Sequence, residues 1–318
     1  MERHARHRLR NTLQSAVLVA GMAAIAGACA WFVWGPGGVI WAFLGVALAL
    51  LFSPGLPSGL ALSLYRARAI HPAEFREGYA VLEELARRAA LPGIPTLYYV
   101  PSTMLNAFAV GRRHDAAIAV TDGMLRSLTM RELAGVLAHE VSHVANNDIR
   151  IMNLADVISR VTSLLAFLGI FLVMVNLPLV LAGEASLPWL LVVLLVFAPT
   201  LMSLLQLALS RSREYDADVH AAELTRDPEG LASALLKLER FQGRFWESVF
   251  MPGRRNPEPS LLRTHPSTEE RVRRLMELAG RHDRHASPFG HDGRLAGLPP
   301  GARPVRHPPR WRWSGLWY

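Results

Sequence analysis

The longest uncharged stretch of this sequence runs from Asn11 to Tyr65. A helix crosses the hydrocarbon core of a bilayer with about 20 apolar residues, so this stretch can hold two crossings and exceeds the apolar core of a signal peptide. We predict the first crossing at Ser15 to Trp34, a tight turn at residues 35–38 (GPGG) and a second crossing at about Val39 to Phe52. The second segment is near the lower length limit, which leaves a tilted or partly re-entrant helix open.

A second pair of apolar segments occurs later in the chain. Val161 to Gly183 is uncharged, and so is Ala185 to Ser210, with only Glu184 between them. Each segment is long enough to span a bilayer, and the short stretch at 183–188 is typical of a turn. The sequence therefore predicts four transmembrane helices arranged as two hairpins.

The distribution of charge predicts the orientation and the surroundings of the chain. Arginines follow the first hairpin at positions 66, 68 and 76, whereas the turn at 35–38 carries no charge. Because basic residues favour the cytoplasmic side, we expect both the N-terminus and the region after residue 60 in the cytoplasm. Residues 1–10 carry a net charge of +3 and residues 281–318 a net charge of +5, which together equal the formal charge of +8. The near-neutral remainder argues against a nucleic-acid partner, and the basic ends suit an anionic lipid surface.

The motif HEVSH places His139, Glu140 and His143 at the spacing of a helical zinc site. Residues i and i+4 of a helix project from one face, so the two imidazoles can reach one metal ion, with the glutamate beside its water as general base. Thr129 and Glu132 form a capping-box pattern that predicts the start of this helix. Taken alone, two helical histidines satisfied by hydrogen bonds are an alternative.

A candidate third ligand lies in the segment SRSREYDAD, residues 210–218. Glu214 and Asp218 are also i and i+4, which suits one metal ligand and one acceptor for a histidine N–H group. A solvated face with surface ion pairs explains this segment equally well by itself, and the histidine pair favours the ligand interpretation. The predicted second hairpin accounts for the separation of 71 positions between His143 and Glu214.

Several motifs in a fixed order resemble those of the HtpX-type membrane zinc metalloproteases, and more distantly those of the CAAX prenyl proteases. The resemblance extends from the first apolar segment to about Gly280. It rests on HEVSH, on SRSREYDAD, on Asn106-Ala107-Phe108, on Thr264-His265-Pro266 and on Glu270-Arg271-Val272. It implies one Zn²⁺ per chain bound by His139, His143 and Glu214, with Glu140 as the catalytic base. It further implies protein or peptide substrates and a role in stress response and membrane-protein quality control at a bacterial cytoplasmic membrane.

Two further sites come partly from this resemblance. Short apolar runs at Thr96 to Val100, Asn106 to Val110 and Ala116 to Thr121 predict a small sheet. Asn106, Ala107 and Phe108 are the candidate edge strand for binding an extended substrate, although a purely structural sheet explains the residues as well. His265 is a candidate oxyanion stabiliser, and a structural role at the start of the next helix is the alternative.

The predicted architecture is a mainly α membrane protein, with four transmembrane helices in two hairpins and a cytoplasmic α+β zincin-like catalytic domain that contains a small sheet. The first hairpin is predicted at residues 15–60, after a basic N-terminus at 1–14, and the second hairpin at 159–210. The catalytic domain is predicted from two stretches of chain, residues 61–158 with the HEVSH helix and residues 211–280 with the third ligand. A disordered basic tail is predicted at 281–318.

The predicted activity is zinc-dependent endopeptidase action on membrane or membrane-proximal proteins. The alternatives are a CAAX-type prenyl-protein protease and a non-catalytic membrane scaffold. An intramembrane protease is disfavoured because the HEVSH helix is polar at both ends. The sequence leaves the oligomeric state open.

Overall fold

The computed structural model describes residues 2–52, 58–184, 186, 189–250, 267–280, 295–297 and 299. The chain divides into two compact units. One comprises Met1–Pro54 and Arg150–Ser212, and the other comprises Gly55–Ile149 and Arg213–Tyr318. We refer to the first as the membrane unit, because it contains most of the predicted transmembrane segments, and to the second as the catalytic unit, because it contains the residues that the sequence predicts to be catalytic.

Helices dominate both units. The helices are α1 (Glu2–Phe52), α2 (Ser58–Leu64), α3 (Arg76–Arg88), α4 (Asp122–Ser127), α5 (Met130–Ala145), α6 (Asp148–Leu181), α7 (Trp189–Thr225), α8 (Pro228–Phe250) and α9 (Thr268–Ala279). The strands are β1 (Arg68–Ala69), β2 (Thr96–Val100), β3 (Ala107–Val110) and β4 (Ala117–Thr121). These elements confirm the part of the predicted fold class that describes a mainly helical protein with a small sheet.

Three helices in the described residues are long and apolar enough to cross a membrane. They are the Leu13–Leu48 portion of α1, α6 and α7. Large apolar side chains along them are exposed, including Trp41, Phe171 and Leu190. Such a surface is unfavourable in water and suits a lipid environment.

Helix α1 is broken where the sequence predicts a turn. Trp34 and Gly35 leave helical geometry, and Gly35 adopts φ 63° and ψ −156°, a conformation that glycine reaches without strain. A Cβ atom added to Gly38 would clash with the carbonyl oxygen of Ala30. In a continuous helix, residues eight apart are separated by about 12 Å, so the chain must fold back at the break.

The packing of the second half of α1 agrees with this reversal. Ala42 packs against the cluster that contains Cys29 and Ala30, and Val46 packs against the cluster that contains Met22. As the residue number rises along the second half of α1, the packing partner lies closer to the start of the first half. This pattern is typical of two antiparallel helices. We therefore describe α1 as a helical hairpin within the membrane unit.

The catalytic unit contains a four-stranded mixed sheet in the order β1-β2-β4-β3. Strand β2 is parallel to β4, whereas β1 and β3 are antiparallel to their neighbours. The three predicted strands are present, although β3 and β4 each begin one residue later than expected. Strand β1 was missed because its two residues are too few to show an alternating pattern.

Strand β3 lies at one edge of this sheet. The backbone N–H of Thr121 donates to the carbonyl of Asn106, at 3.1 Å. In an antiparallel ladder the hydrogen-bonded and non-hydrogen-bonded pairs alternate, so the backbone groups of Ala107 and Ala109 point away from β4. No strand pairs with this outer edge of β3 within the part of the chain that the structure describes.

Helix α5 is held firmly in the core of the catalytic unit. The predicted capping box is present, since the Thr129 side chain accepts from the Glu132 N–H and the Glu132 side chain accepts from the Thr129 N–H. Leu133, Leu137 and Val141 are fully buried along one stripe. This packing fixes the orientation of the histidines that α5 carries.

One short stretch of the predicted disordered tail is ordered. Thr129 forms an antiparallel bridge with Leu295, and the N–H groups of Ala296 and Gly297 donate to the carbonyls of Leu128 and Leu125. These carbonyls lie at the end of α4, where no helical partner is available, so an extended segment satisfies them. The remainder of the tail, except for residue 299, lies outside the described residues.

Candidate metal centre

Helix α5 presents the two histidines of the HEVSH motif on one face. The imidazole rings of His139 and His143 meet edge to face, with centroids 4.7 Å apart, and their Nε2 atoms are 3.1 Å apart. His139 is only 8% exposed. Two nitrogen atoms brought this close in a buried site are typical of ligands to a common cation.

Glu214 on α7 completes the group. One carboxylate oxygen lies 3.4 Å from Nε2 of His139 and the other lies 3.9 Å from Nε2 of His143. One ligand atom from each of the three residues falls within 4.8 Å of the others. Tetrahedral zinc with bonds of about 2.0–2.1 Å has neighbouring ligands about 3.3 Å apart, so the observed spacing fits a metal ion.

The second nitrogen of each imidazole is hydrogen-bonded to a buried carboxylate. Nδ1 of His139 lies 3.0 Å from Asp218, and Nδ1 of His143 lies 2.8 Å from Asp148. A carboxylate at Nδ1 holds the proton there and leaves Nε2 as the ligand atom. A hydrogen bond between the two Nε2 atoms would account for their facing each other, whereas a shared metal ion also accounts for the approach of Glu214 to both.

Arg271 on α9 joins the two acidic residues of α7. Its guanidinium group donates to both carboxylate oxygens of Asp218, at 2.7 and 2.6 Å, and lies 3.1 Å from Glu214. Arg271 is 8% exposed, so these ion pairs are shielded from water. The arginine thus fixes the orientation of the candidate ligand and of the carboxylate that holds His139.

The carboxylates around the two histidines outnumber the guanidinium groups, so the centre has an excess of negative charge. Four carboxylates lie around the two imidazoles, against two guanidinium groups; they belong to Glu140, Asp148, Glu214 and Asp218, and to Arg213 and Arg271. Burial disfavours the charged form of His139, but hydrogen bonds to Asp218 and Glu214 outweigh it and raise the pKa of His139 to about 10. A site that favours positive charge so strongly is suited to bind a divalent cation.

Glu140 lies beside the histidine pair without joining the ligand group. Burial raises the pKa of its carboxyl group, opposed by the nearby His139 and His143 and by a hydrogen bond from the backbone of Ala109. A raised pKa makes a carboxylate a stronger base. The contact with Ala109 also places the outward edge of β3 next to this carboxylate.

Comparison with known proteins identifies the family. Residues 72–279 match peptidase family M48. The chain is 37% identical to a protein described as Protease HtpX homolog from Acaryochloris marina, over 86% of this chain and 94% of the relative. The Protease HtpX homolog of Methylibium petroleiphilum is 35% identical, over 84% of this chain and 98% of the relative. The chain belongs to peptidase family M48.

Among solved structures, the crystal structure of S. mikatae Ste24p aligns with 18% identity and a TM-score of 0.48, covering 86% of this chain and 66% of its own.

Family membership and the apolar helices make this M48 peptidase an integral-membrane metalloprotease. Its substrates are therefore polypeptides, its surroundings include the lipid bilayer, and its activity depends on a metal ion. Among the His, Cys, Asp and Glu side chains of the described residues, one group has the geometry to hold that ion. It consists of His139, His143 and Glu214.

Sequence reasoning located the residues that converge here but missed some that support them. His139, Glu140, His143, Glu214 and Asp218 come together as expected. Asp148, Arg213 and Arg271 were assigned no role in the site, because their contacts join segments far apart in the chain or, for Asp148 and His143, cross the break between α5 and α6. His265, the candidate oxyanion stabiliser, lies outside the described residues.

Replacing Arg271 with glutamine leaves Asp218 and Glu214 buried without their counter-charge. Breaking a buried ion pair from one side destabilises a protein by about 3–5 kcal/mol, so the metal-free Arg271→Gln enzyme should lose stability by about that amount. Chemical denaturation of the chelator-treated enzyme in detergent measures the change.

The matched control for this experiment is Arg87→Gln. Arg87 forms an exposed pair with Glu84, its side chain being 70% exposed, so the variant should retain close to wild-type stability. Equal losses in the two variants would contradict a structural role for the Arg271 contacts.

Proposed function

We propose that this M48 peptidase is a zinc-dependent endopeptidase of the bacterial cytoplasmic membrane, with its catalytic centre on the cytoplasmic side. Its proposed substrates are misfolded membrane proteins and proteins close to the membrane. The observation that carries the proposal is the convergence of His139, His143 and Glu214, with the carboxylate of Glu140 beside them. Relatives described as HtpX homologues favour this activity over cleavage of prenylated proteins.

In this proposal each side chain has one task. His139, His143 and Glu214 hold the zinc ion, which when bound would supply Lewis acidity to the scissile carbonyl and to the attacking water. Glu140 accepts a proton from that water and delivers it to the departing amine. Asp218 keeps the proton of His139 on Nδ1, and Arg271 holds Asp218 and Glu214 in place.

The proposed substrate path follows strand β3. The backbone groups of Ala107 point outward from the sheet edge, and the neighbouring outward residue Ala109 contacts Glu140. An extended peptide could pair with this edge through main-chain hydrogen bonds alone. It would then lie beside the carboxylate of Glu140. Such binding tolerates many sequences, which suits a protease that removes damaged proteins. Among the three residues predicted to bind substrate, Ala107 directs its backbone N–H away from the sheet. The backbone groups of Asn106 and Phe108 point toward β4.

The proposed topology has four spans, with residues 61–158 and 211–280 in the cytoplasm. The reversal within α1 at Gly35 supports two crossings in the first apolar region. Helices α6 and α7 supply the second pair. Basic residues at 66, 68 and 76 support the cytoplasmic placement of the region after the first hairpin.

The Glu140→Gln enzyme should retain its zinc and lose proteolysis. Glutamine has nearly the same shape but cannot accept the proton, and loss of general acid–base catalysis lowers rates by about 10²–10⁴. Cleavage of casein by the detergent-purified enzyme, with zinc content measured by atomic emission, tests this expectation.

Glu214→Gln serves as the contrasting variant, because it should lower both the zinc content and the cleavage rate. Glu84→Gln on the surface should change neither quantity. Full activity in Glu140→Gln would contradict the proposed chemistry, and a wild-type enzyme without zinc would contradict the proposed metal.

Ala107→Pro should weaken peptide binding without preventing folding. Proline removes one outward N–H and is tolerated in an edge strand. Loss of one hydrogen bond worth about 0.5–1.5 kcal/mol should raise KM about two- to tenfold while kcat changes little. Ala107→Val retains the N–H and is the control. An unchanged KM in the proline variant would argue against binding along β3.

The orientation can be tested with single cysteines. Cys29 is the only native cysteine, so Cys29→Ala provides a cysteine-free background. Gly37→Cys in the predicted outer turn should react with a membrane-impermeant maleimide on intact cells, whereas Gly93→Cys in the catalytic unit should react only after lysis. Labelling of Gly93→Cys in intact cells would reverse the proposed topology.

A further inference from the structure

The imidazole of His143 is held by a carboxylate that lies outside the HEVSH motif. Nδ1 of His143 is 2.8 Å from Oδ2 of Asp148. Asp148 is only 2% exposed, so this contact is protected from water. A buried carboxylate hydrogen-bonded to an imidazole favours the tautomer with its proton on Nδ1 and fixes the direction of the ring.

A turn in the backbone makes this contact reachable. If α5 continued without interruption, position 148 would be rotated about 140° away from position 143 around the helix axis. Instead α5 ends at Ala145, Asn147 adopts the left-handed conformation with φ 56°, and α6 begins at Asp148. Asparagine is one of the few residues that visit this conformation routinely. The turn brings the Asp148 side chain back to the imidazole.

A buried arginine fixes the carboxylate in its turn. The guanidinium group of Arg213 donates to the other oxygen of Asp148, at 3.2 Å, and Arg213 is 7% exposed. Arg213 directly precedes Glu214 on α7. Consecutive residues of one helix therefore hold Asp148 and contribute to the candidate ligand group.

The arrangement repeats the one around the other histidine. His139 contacts Asp218, which is held by Arg271. Each histidine thus has its own aspartate, and each aspartate has its own buried arginine, although the residues come from different segments. A repeated arrangement of this kind on both imidazoles argues that its common feature, the orientation of Nε2, is what the contacts determine.

We propose that Asp148, held by Arg213, is a positioning residue that fixes the tautomer and the direction of His143 for metal binding. This inference rests on the proposed function. It predicts that loss of the Asp148 carboxylate weakens metal binding even when the ligand residues are intact. Partners of this type typically change metal affinity by about 10- to 100-fold.

The test is the zinc affinity of the full-length Asp148→Asn enzyme in detergent, measured by competition with a chromophoric chelator at one fixed pH. We expect affinity to fall about 10- to 100-fold. Substitution with Co²⁺ gives a second readout, since a misdirected His143 should alter the visible absorption bands relative to wild type.

Asp227→Asn is the matched control for loss of a buried ion pair. Asp227 is 6% exposed and accepts two hydrogen bonds of 2.6 Å from Arg131, at the start of α5 and away from the metal group. This variant should lose thermal stability and retain wild-type zinc affinity and cobalt spectrum. If Asp148→Asn does not fold, Arg213→Gln takes its place, with an expected loss of several-fold in affinity.

The outcomes separate this inference from the proposed function. Wild-type affinity and an unchanged cobalt spectrum in the Asp148→Asn enzyme, or in a folded Arg213→Gln enzyme, would refute the positioning role while leaving the zinc site intact. Failure of the wild-type enzyme to bind zinc would refute the proposed function itself. Weaker binding in Asp148→Asn with normal binding in Asp227→Asn would support the positioning role.

Discussion

The catalytic unit is organised around a buried concentration of negative charge. Carboxylates from α5, α6 and α7 surround two imidazoles, and two arginines offset only some of their charge. Buried charges are costly unless they are paired, so such a group is stable only where the partners are held in place or a cation is bound. The surrounding helices supply that placement, and the proposed divalent metal would supply the missing charge.

The position of the site follows from helix ends and from one interrupted helix. Helix α5 begins at a capping box, and its buried stripe orients the HEVSH face toward Glu214 on α7. It ends at Ala145, and the left-handed Asn147 that follows returns Asp148 to His143. On the open side, the edge of β3 lies next to Glu140. The same local features that terminate elements of the fold therefore place groups around the reaction site.

The sequence predicted most of the site because its signals are periodic. Residues i and i+4 of a helix share a face, so HEVSH and the acidic pair on α7 each indicated a common direction. The strands were also recognisable, except for the two-residue β1. The contacts of Asp148, Arg213 and Arg271 had no such signal, since each joins residues separated by 53 to 65 positions or crosses a helix break.

By itself, the sequence determined that the chain is a membrane protein, which residues are the candidate ligands and base, and that the ligand segments flank an apolar hairpin. Hydropathy and helical spacing are local properties, so they can be read directly from the amino-acid sequence. The tertiary structure decided which imidazole nitrogens face the metal group, which carboxylates and arginines hold them, which edge of the sheet lies beside Glu140, and that Leu295 pairs with Thr129. Those choices depend on distances between segments remote in sequence, and only packing sets those distances.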